Sequence, residues 1–517
     1  MRVCMLAAMA LLALAGTAVA ADGGAVAPTP TLTVAATDGV VNDGDPVRVG
    51  IDPKGAAGPF ALTARDADGG LVAEMTLSLS PETARMEVTV PAVGRRWVNL
   101  RLADPAAPER ILAERSVAIL RPAPAADRRF GFNARPDLAP LVRRLGGCWV
   151  RGHIPWEQEG EGKPFAGKGI EKTIAPVRAA GCEVFGISNY SLPWASVYAA
   201  EDTRPMREFF SPPRPAAWDA YIRDVAPRLA GQVPAFEVWN EPNFDQFWRS
   251  TPDTFAQRIQ DYSELLKRTR AILREGAPGV LVTNGSLVDT RNSSAHAFLR
   301  AIIEKGCAES FDVLNIHYYN STRPPERLPP PAADAKARDR SLETYLEGFR
   351  QIQAEFKITK PVWMTEIGWP TVDPGGWGTV SELDQARFLV RSHVLCFAAG
   401  VEAVMWFQLE GKDFGVWEPE RGPKPAFAAY AQLVQALRGK AFRRWVGEGS
   451  ARAALFGGTD EAVIVAWALE PAEWPLPPGA KVTRAESLLG ESRPLPDGHA
   501  VKLDPSPVYL FMAPGAE

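Results

Sequence analysis

Trp239-Asn240-Glu241-Pro242-Asn243 and Met364-Thr365-Glu366-Ile367-Gly368-Trp369-Pro370 decide how this chain is read. Each stands at the end of an apolar, strand-like run, and each delivers one carboxylate. Glu366 follows Glu241 by 125 residues. One strand, one helix and their loops take about thirty to forty residues in an eight-fold βα barrel, so three such units fit between the two glutamates. On a parallel barrel both would reach the same mouth, where strand C-termini converge.

Working outward, short apolar runs alternate with amphipathic helical stretches from Phe130 onward. Strands are expected at Phe130–Asn133, Cys148–His153, Cys182–Asn189, Phe236–Asn240, Val280–Asn284, Asp312–Tyr319, Val362–Glu366 and Ala403–Gln408, separated by helices such as Phe255–Arg274 and Leu342–Phe356. Eight βα units in series is a barrel count. An open doubly wound sheet would show fewer units and a glycine-rich phosphate loop, which the sequence lacks. The expected fold class is therefore α/β: a (β/α)8 TIM barrel over residues 126–439, flanked by an N-terminal β-sandwich and a small C-terminal β-domain.

Residues 21–125 carry the sandwich signature, alternating runs such as Thr31-Leu32-Thr33-Val34 and Glu87-Val88-Thr89-Val90 between Asp-Gly and Pro-rich turns. Arg121 to Arg129 reads as the linker. Alternation returns in Ala462–Trp467 and Pro507–Met512, giving a C-terminal β-domain over 440–517. Long loops follow strands two, three, six, seven and eight, at 157–168, 191–215, 321–339, 371–381 and 409–425, and should wall the mouth. The loop 321–339 is expected to border a substrate groove. Its Pro329-Pro330-Pro331 fits an insertion without a role equally well.

The formal charge of −4 and pI near 5.9 leave no basic face for nucleic acid or an anionic membrane. Residues 1–20 read as an export signal: Arg2, an apolar stretch Leu6–Leu14, and Ala18-Val19-Ala20 before Ala21. The expected location is periplasmic or secreted, without a lipid or membrane anchor. Cys148, Cys182, Cys307 and Cys396 then remain; three pairings are open to them, but small buried thiols suit all four, and their spacing matches no zinc site. Of the fifteen tryptophans, about half suit core packing and the rest suit stacking surfaces. Trp156, Trp194, Phe209, Trp248, Trp369, Trp377 and Trp417 lie on mouth loops, where two or three are expected as sugar platforms and the rest as packing.

Strand four ending in Trp-Asn-Glu-Pro-Asn and strand seven ending in Thr-Glu-Ile-Gly resemble the clan A glycoside hydrolases over about Phe130 to Leu437. An Asn-Glu-Pro alone also marks a helix start; it is the combination of strand ends that carries the resemblance. Glu-Val-Trp-Asn-Glu-Pro-Asn is similar to family 39 β-xylosidases and exopolysaccharide hydrolases, and Glu-Ile-Gly-Trp-Pro to family 17 β-1,3-glucanases. The resemblance implies Glu241 as acid/base and Glu366 as nucleophile. It also implies Asn240 as the ligand of a sugar 2-hydroxyl and Arg151 as the cation that keeps the nucleophile ionised. His317 and Tyr319 would border the nucleophile, and Trp406 would form the aromatic floor under the cleaved sugar.

Chemistry supports the pair independently. A retaining glycosidase needs its carboxyls about 5 Å apart, one charged to attack the anomeric carbon and one protonated for the leaving oxygen. Arg151 is expected to lower the pKa of Glu366, while burial and the neighbouring charge raise that of Glu241. The expected function is a retaining hydrolase of a β-linked poly- or oligosaccharide, without metal or organic cofactor. The alternatives are a non-catalytic carbohydrate-binding barrel and a cell-surface assembly protein whose sandwich does the work. Oligomeric state is not legible.

Overall fold

The computed structural model describes residues 29–80, 82–83, 85–326, 340–447, 450–459, 461–496 and 500–513. The export signal and most of the 321–339 loop, triple proline included, lie outside the described residues. The chain divides into two compact units. One holds the N-terminal region to Arg121 with Pro370–Gln385 and Gly411–Ala428; the other holds Pro122–Trp369, Ala386–Glu410 and everything from Ala429.

In the first unit, Thr31–Val34, Val47–Asp52 and Met86–Val90 form a three-stranded antiparallel sheet. A five-stranded sheet runs Val40–Asn42, Ala107–Leu120, Trp97–Asp104, Gly58–Arg65, Leu71–Leu79, and only its first pair is parallel. Alternate residues of both, among them Leu32, Val49, Ile51, Leu62, Leu100 and Val117, share one apolar core. The loops leaving barrel strands seven and eight belong to this unit. Trp97 donates its indole N–H to Pro423 O (2.7 Å) and Trp417 donates its own to Asp38 O (2.7 Å).

The second unit contains the eight-stranded parallel barrel. Its strands are Asp127–Asn133, Gly147–His153, Glu183–Ser188, Ala235–Asn240, Leu281–Ser286, Leu314–Tyr318, Val362–Ile367 and Val401–Trp406. Bridges between Thr283 and Val313 and between Leu287 and Ile316 close it. Strand one thus begins inside the stretch expected as linker. Thr254, Ser294 and Ser341 cap the helices Phe255–Gly276, Ala295–Glu304 and Leu342–Glu355 with their hydroxyls, satisfying backbone N–H groups that a helix start leaves free.

The period of two in a strand sets what faces the barrel axis. Trp149, Phe185, Ala235, Val313, Trp363, Ala403 and Met405 form an apolar plug. Two residues past Trp149, Arg151 takes the same direction one layer higher, and Glu237 does so past Ala235. The alternation is broken where the glutamates sit. Trp239 (φ 74°) and Glu241 (φ 45°) are left-handed, and the ladders slip between Ile316 and His317 and between Met364 and Ile367. Such irregularities re-aim side chains at functional ends of strands, at a cost the rest of the fold carries.

After the barrel, a six-stranded sheet orders Ala441–Trp445, Ala451–Gly457, Ala462–Ala468, Val508–Met512, Val482–Glu486 and Ser492–Arg493, with Ala472–Pro475 paired to Ala500–Leu503. Within the same unit, Arg391 pairs with buried Glu326 (Nε to Oε1 2.6 Å), which also accepts the Trp467 indole N–H at 3.0 Å. All four cysteines are buried free thiols. No described helix is long and apolar enough to cross a membrane.

Candidate active site

Arg151 organises the mouth. Its five N–H groups are all committed: Nε to Glu237 Oε2 (2.7 Å), Nη2 to Glu237 Oε1 (3.1 Å) and Asn240 Oδ1 (2.8 Å), Nη1 to Glu366 Oε1 (2.5 Å) and Asn133 Oδ1 (2.9 Å). Strands one, two, four and seven are thereby pinned to one guanidinium. With its oxygen held by Arg151, the Asn240 amide turns Nδ2 toward the Tyr190 hydroxyl at 3.5 Å.

Glu241 faces His317, whose Nδ1 lies 2.7 Å from Glu241 Oε1 and 3.5 Å from Glu366 Oε2. The other ring nitrogen lies 3.1 Å from Thr365 Oγ1, and Thr365 donates its one hydroxyl proton to Asn315 Oδ1 at 2.5 Å. Thr365 must therefore accept from His317 Nε2–H. Burial, helped by Arg151, holds the His317 pKa well below the ordinary histidine range. A neutral ring with its proton on Nε2 can only accept at Nδ1, so the proton between His317 and Glu241 resides on Glu241.

The pKa shifts agree with that placement. Burial first and the Glu366 charge second push Glu241 well above the usual carboxylate range. Glu366 is also raised, by burial, against the lowering effects of Arg151 and of Tyr319, whose hydroxyl donates to Oε2 at 2.6 Å. This corrects one expectation: Arg151 restrains the rise of the Glu366 pKa but does not bring it below normal, because desolvation of the buried carboxylate is the larger effect.

Six of the seven sequence-predicted site residues, Arg151, Asn240, Glu241, His317, Tyr319 and Glu366, meet in this cluster. Trp406 does not. It is fully buried, its ring stacked between Trp369 (6.0 Å) and His393 (6.4 Å). Met405 fills the plug, so alternation turns Trp406 outward against the helix Glu382–Ala398. The next residue, half-buried Phe407, lies edge-on to Tyr319 at 6.1 Å and so stands beside the cluster that Trp406 does not reach. Of the mouth-loop aromatics, Trp156, Trp248, Trp369 and Trp417 are buried packing, Trp194 and Phe209 half-buried, and Trp377 exposed.

Four contributors escaped sequence reasoning: Glu237, Thr365, Tyr190 and His153. Glu237 was signalled only by being an acid at an inward position of an otherwise apolar strand. His153 lies two residues past Arg151 on strand two, and desolvation first and the Arg151 charge second push its imidazole down to about 4. Glu241, His317 and Glu366 also form the one group among the described residues able to hold a metal ion, with ligand atoms within 4.8 Å of one another. A cation there would displace the proton shared by His317 and Glu241, so the donor set fits an inhibitor better than a resident metal.

Residues 215–412 match the family model described as the glycosyl hydrolase catalytic core. That span covers strands four to eight and both glutamates, and it supports a glycosidase. The fold is similar to that of a family 39 glycoside hydrolase from the gut symbiont Bacteroides cellulosilyticus WH2, with TM-score 0.70 and 17% identity over 93% of this chain and 100% of that one. It is also similar to a conserved exported protein from Bacteroides fragilis, with TM-score 0.51 and 10% identity over 75% of this chain and 98% of that one. No curated protein matches the chain.

Proposed function

We propose that this protein is a retaining glycoside hydrolase that cleaves β-linked poly- or oligosaccharides by double displacement. One observation carries the reading: an oxygen of Glu241 and an oxygen of Glu366 lie within 4.8 Å of each other, which supports the close carboxyl pair of a retaining enzyme over the wider pair of an inverting one.

In the first step Glu366, ionised and held by Arg151 and Tyr319, attacks the anomeric carbon. The bond to the departing oxygen breaks as Glu241 gives that oxygen its proton. In the second step the Glu241 carboxylate takes a proton from water, the water oxygen bonds to the same carbon, and Glu366 departs. Asn240 Nδ2 is placed to donate to the sugar 2-hydroxyl, and Phe407 to lie under the ring. Periplasmic or secreted action is part of the proposal and rests on residues 1–20 alone.

A panel of aryl β-glycosides, β-glucan, xylan, mannan and bacterial exopolysaccharides tests the reading and finds the sugar. Turnover of one aryl β-glycoside is expected, abolished in Glu366→Ala and restored there by azide with inversion. Binding without turnover across the whole panel would leave a non-catalytic carbohydrate-binding barrel in its place.

A further inference from the structure

The hydrolase reading leaves Glu237 without a task, although it is a fully buried carboxylate one turn of pleat below the acid/base strand end. We propose that Glu237 is a positioning residue: it occupies the forked edge of Arg151, so that the guanidinium reaches the nucleophile through Nη1 alone. The inference rests on the hydrolase reading and adds a determinant of how strongly Glu366 is held.

The geometry is specific. A guanidinium offers its strongest contact to a carboxylate through two parallel N–H groups. Here that fork, Nε and Nη2, goes to Glu237 at 2.7 and 3.1 Å, and Glu366 receives one N–H of Nη1. Glu237 is itself fixed, since the Ser286 backbone N–H donates to its Oε1 at 3.0 Å from strand five. With the fork anchored, the second proton on Nη2 meets Asn240 Oδ1 and the second on Nη1 meets Asn133 Oδ1. Anchoring Arg151 by its far edge thus aims three groups at once: the guanidinium, the Asn240 amide and the Glu366 carboxylate.

A salt bridge serving only to neutralise Arg151 would not need a second carboxylate, because Glu366 already supplies one charge. Two carboxylates on one guanidinium leave neither fully compensated. Facing Glu366 are Arg151 from strand two, Tyr190 from the loop after strand three, Glu237 and Glu241 from strand four, and His317 and Tyr319 from strand six. With Glu241 protonated and His317 neutral, Glu237 is the one negative charge in that ring. It opposes ionisation of Glu366, so it keeps the nucleophile more basic than an unshared arginine contact would, and a more basic carboxylate attacks carbon faster.

The test is the pH dependence of kcat/KM on the best aryl β-glycoside for wild type, Glu237→Gln and Glu237→Asp, with folding checked by thermal unfolding. In Glu237→Gln the charge is gone and Arg151 turns its fork to Glu366; the acid limb should move to lower pH by about one unit, with a plateau lowered about ten-fold. Glu237→Asp keeps a charged carboxylate for the fork but carries it on a shorter arm, so Arg151 stays paired with it and is misaimed at Glu366; its acid limb should stay near that of wild type while the plateau falls. If Glu237→Gln fails to fold, the aspartate variant alone decides. An acid limb that moves in Glu237→Asp, or that stands still in Glu237→Gln, or an unchanged plateau in Glu237→Asp, overturns the inference. A wild type without turnover on any glycoside overturns instead the hydrolase reading beneath it.

Discussion

His317 Nδ1 sits 2.7 Å from Glu241 Oε1, while its Nε2–H is spent on Thr365 at 3.1 Å. The imidazole is thus oriented by a hydroxyl that has only an accepting role left, and it stores the acid/base in its protonated form. Removing that acceptor should make Glu241 easier to ionise. His317→Ala is therefore expected to lower kcat/KM by about 100-fold and to move the basic limb of its pH profile to lower pH. An unmoved basic limb would show that His317 does not share the proton.

The wild-type profile itself follows from the two raised carboxyls. Glu366 works only when ionised, so activity should disappear as pH falls through its raised pKa. Glu241 works only when protonated, so activity should disappear as pH rises through its still higher one. Tyr319→Phe removes the hydroxyl that steadies ionised Glu366, so the acid limb should shift to higher pH and the basic limb stay. The initial-rate profiles of the two proteins check this; an acid limb shifted to lower pH contradicts it.

Trp406 and Phe407 should separate stability from catalysis. Trp406→Ala empties a fully buried aromatic site, with an expected loss of about 3–5 kcal/mol of stability. Phe407→Ala should leave the melting temperature nearly intact and raise KM or lower kcat on every substrate. Thermal melts beside steady-state kinetics decide it, and the opposite pattern would restore Trp406 to the floor.

That one-residue error shows where sequence legibility ends. The eight strands were legible because each is a short apolar run bounded by polar loops, and Glu241, Glu366, Arg151, His317 and Tyr319 were legible because they are polar residues at the ends of such runs. Which of Trp406 and Phe407 faces inward depends on whether Met405 enters the plug, a packing fact no local pattern states. Glu237 was hidden because one acid among apolar residues looks like ordinary strand alternation. The grouping of Pro370–Gln385 and Gly411–Ala428 with the sandwich was hidden for another reason: contacts such as Trp97 to Pro423 and Trp417 to Asp38 join residues hundreds of positions apart.

Divalent metal should inhibit the enzyme and not support it. Glu241, His317 and Glu366 can close on one cation, which would remove both the proton and the nucleophile from use. Micromolar to millimolar zinc is expected to inhibit competitively with substrate, and chelation to leave the untreated enzyme fully active. Activity lost on chelation and regained with zinc or calcium would overturn the cofactor-free account.

The most direct test of the central claim is the anomeric configuration of the first product, followed by proton NMR during hydrolysis of an aryl β-glycoside before mutarotation sets in. On the proposed double displacement by the neighbouring Glu241 and Glu366, Glu366 attacks carbon from the face opposite the leaving group and water then attacks from the face the leaving group vacated, so the β-anomer should appear first. First appearance of the α-anomer would mean that water attacks directly, and the nucleophilic role of Glu366 would be wrong.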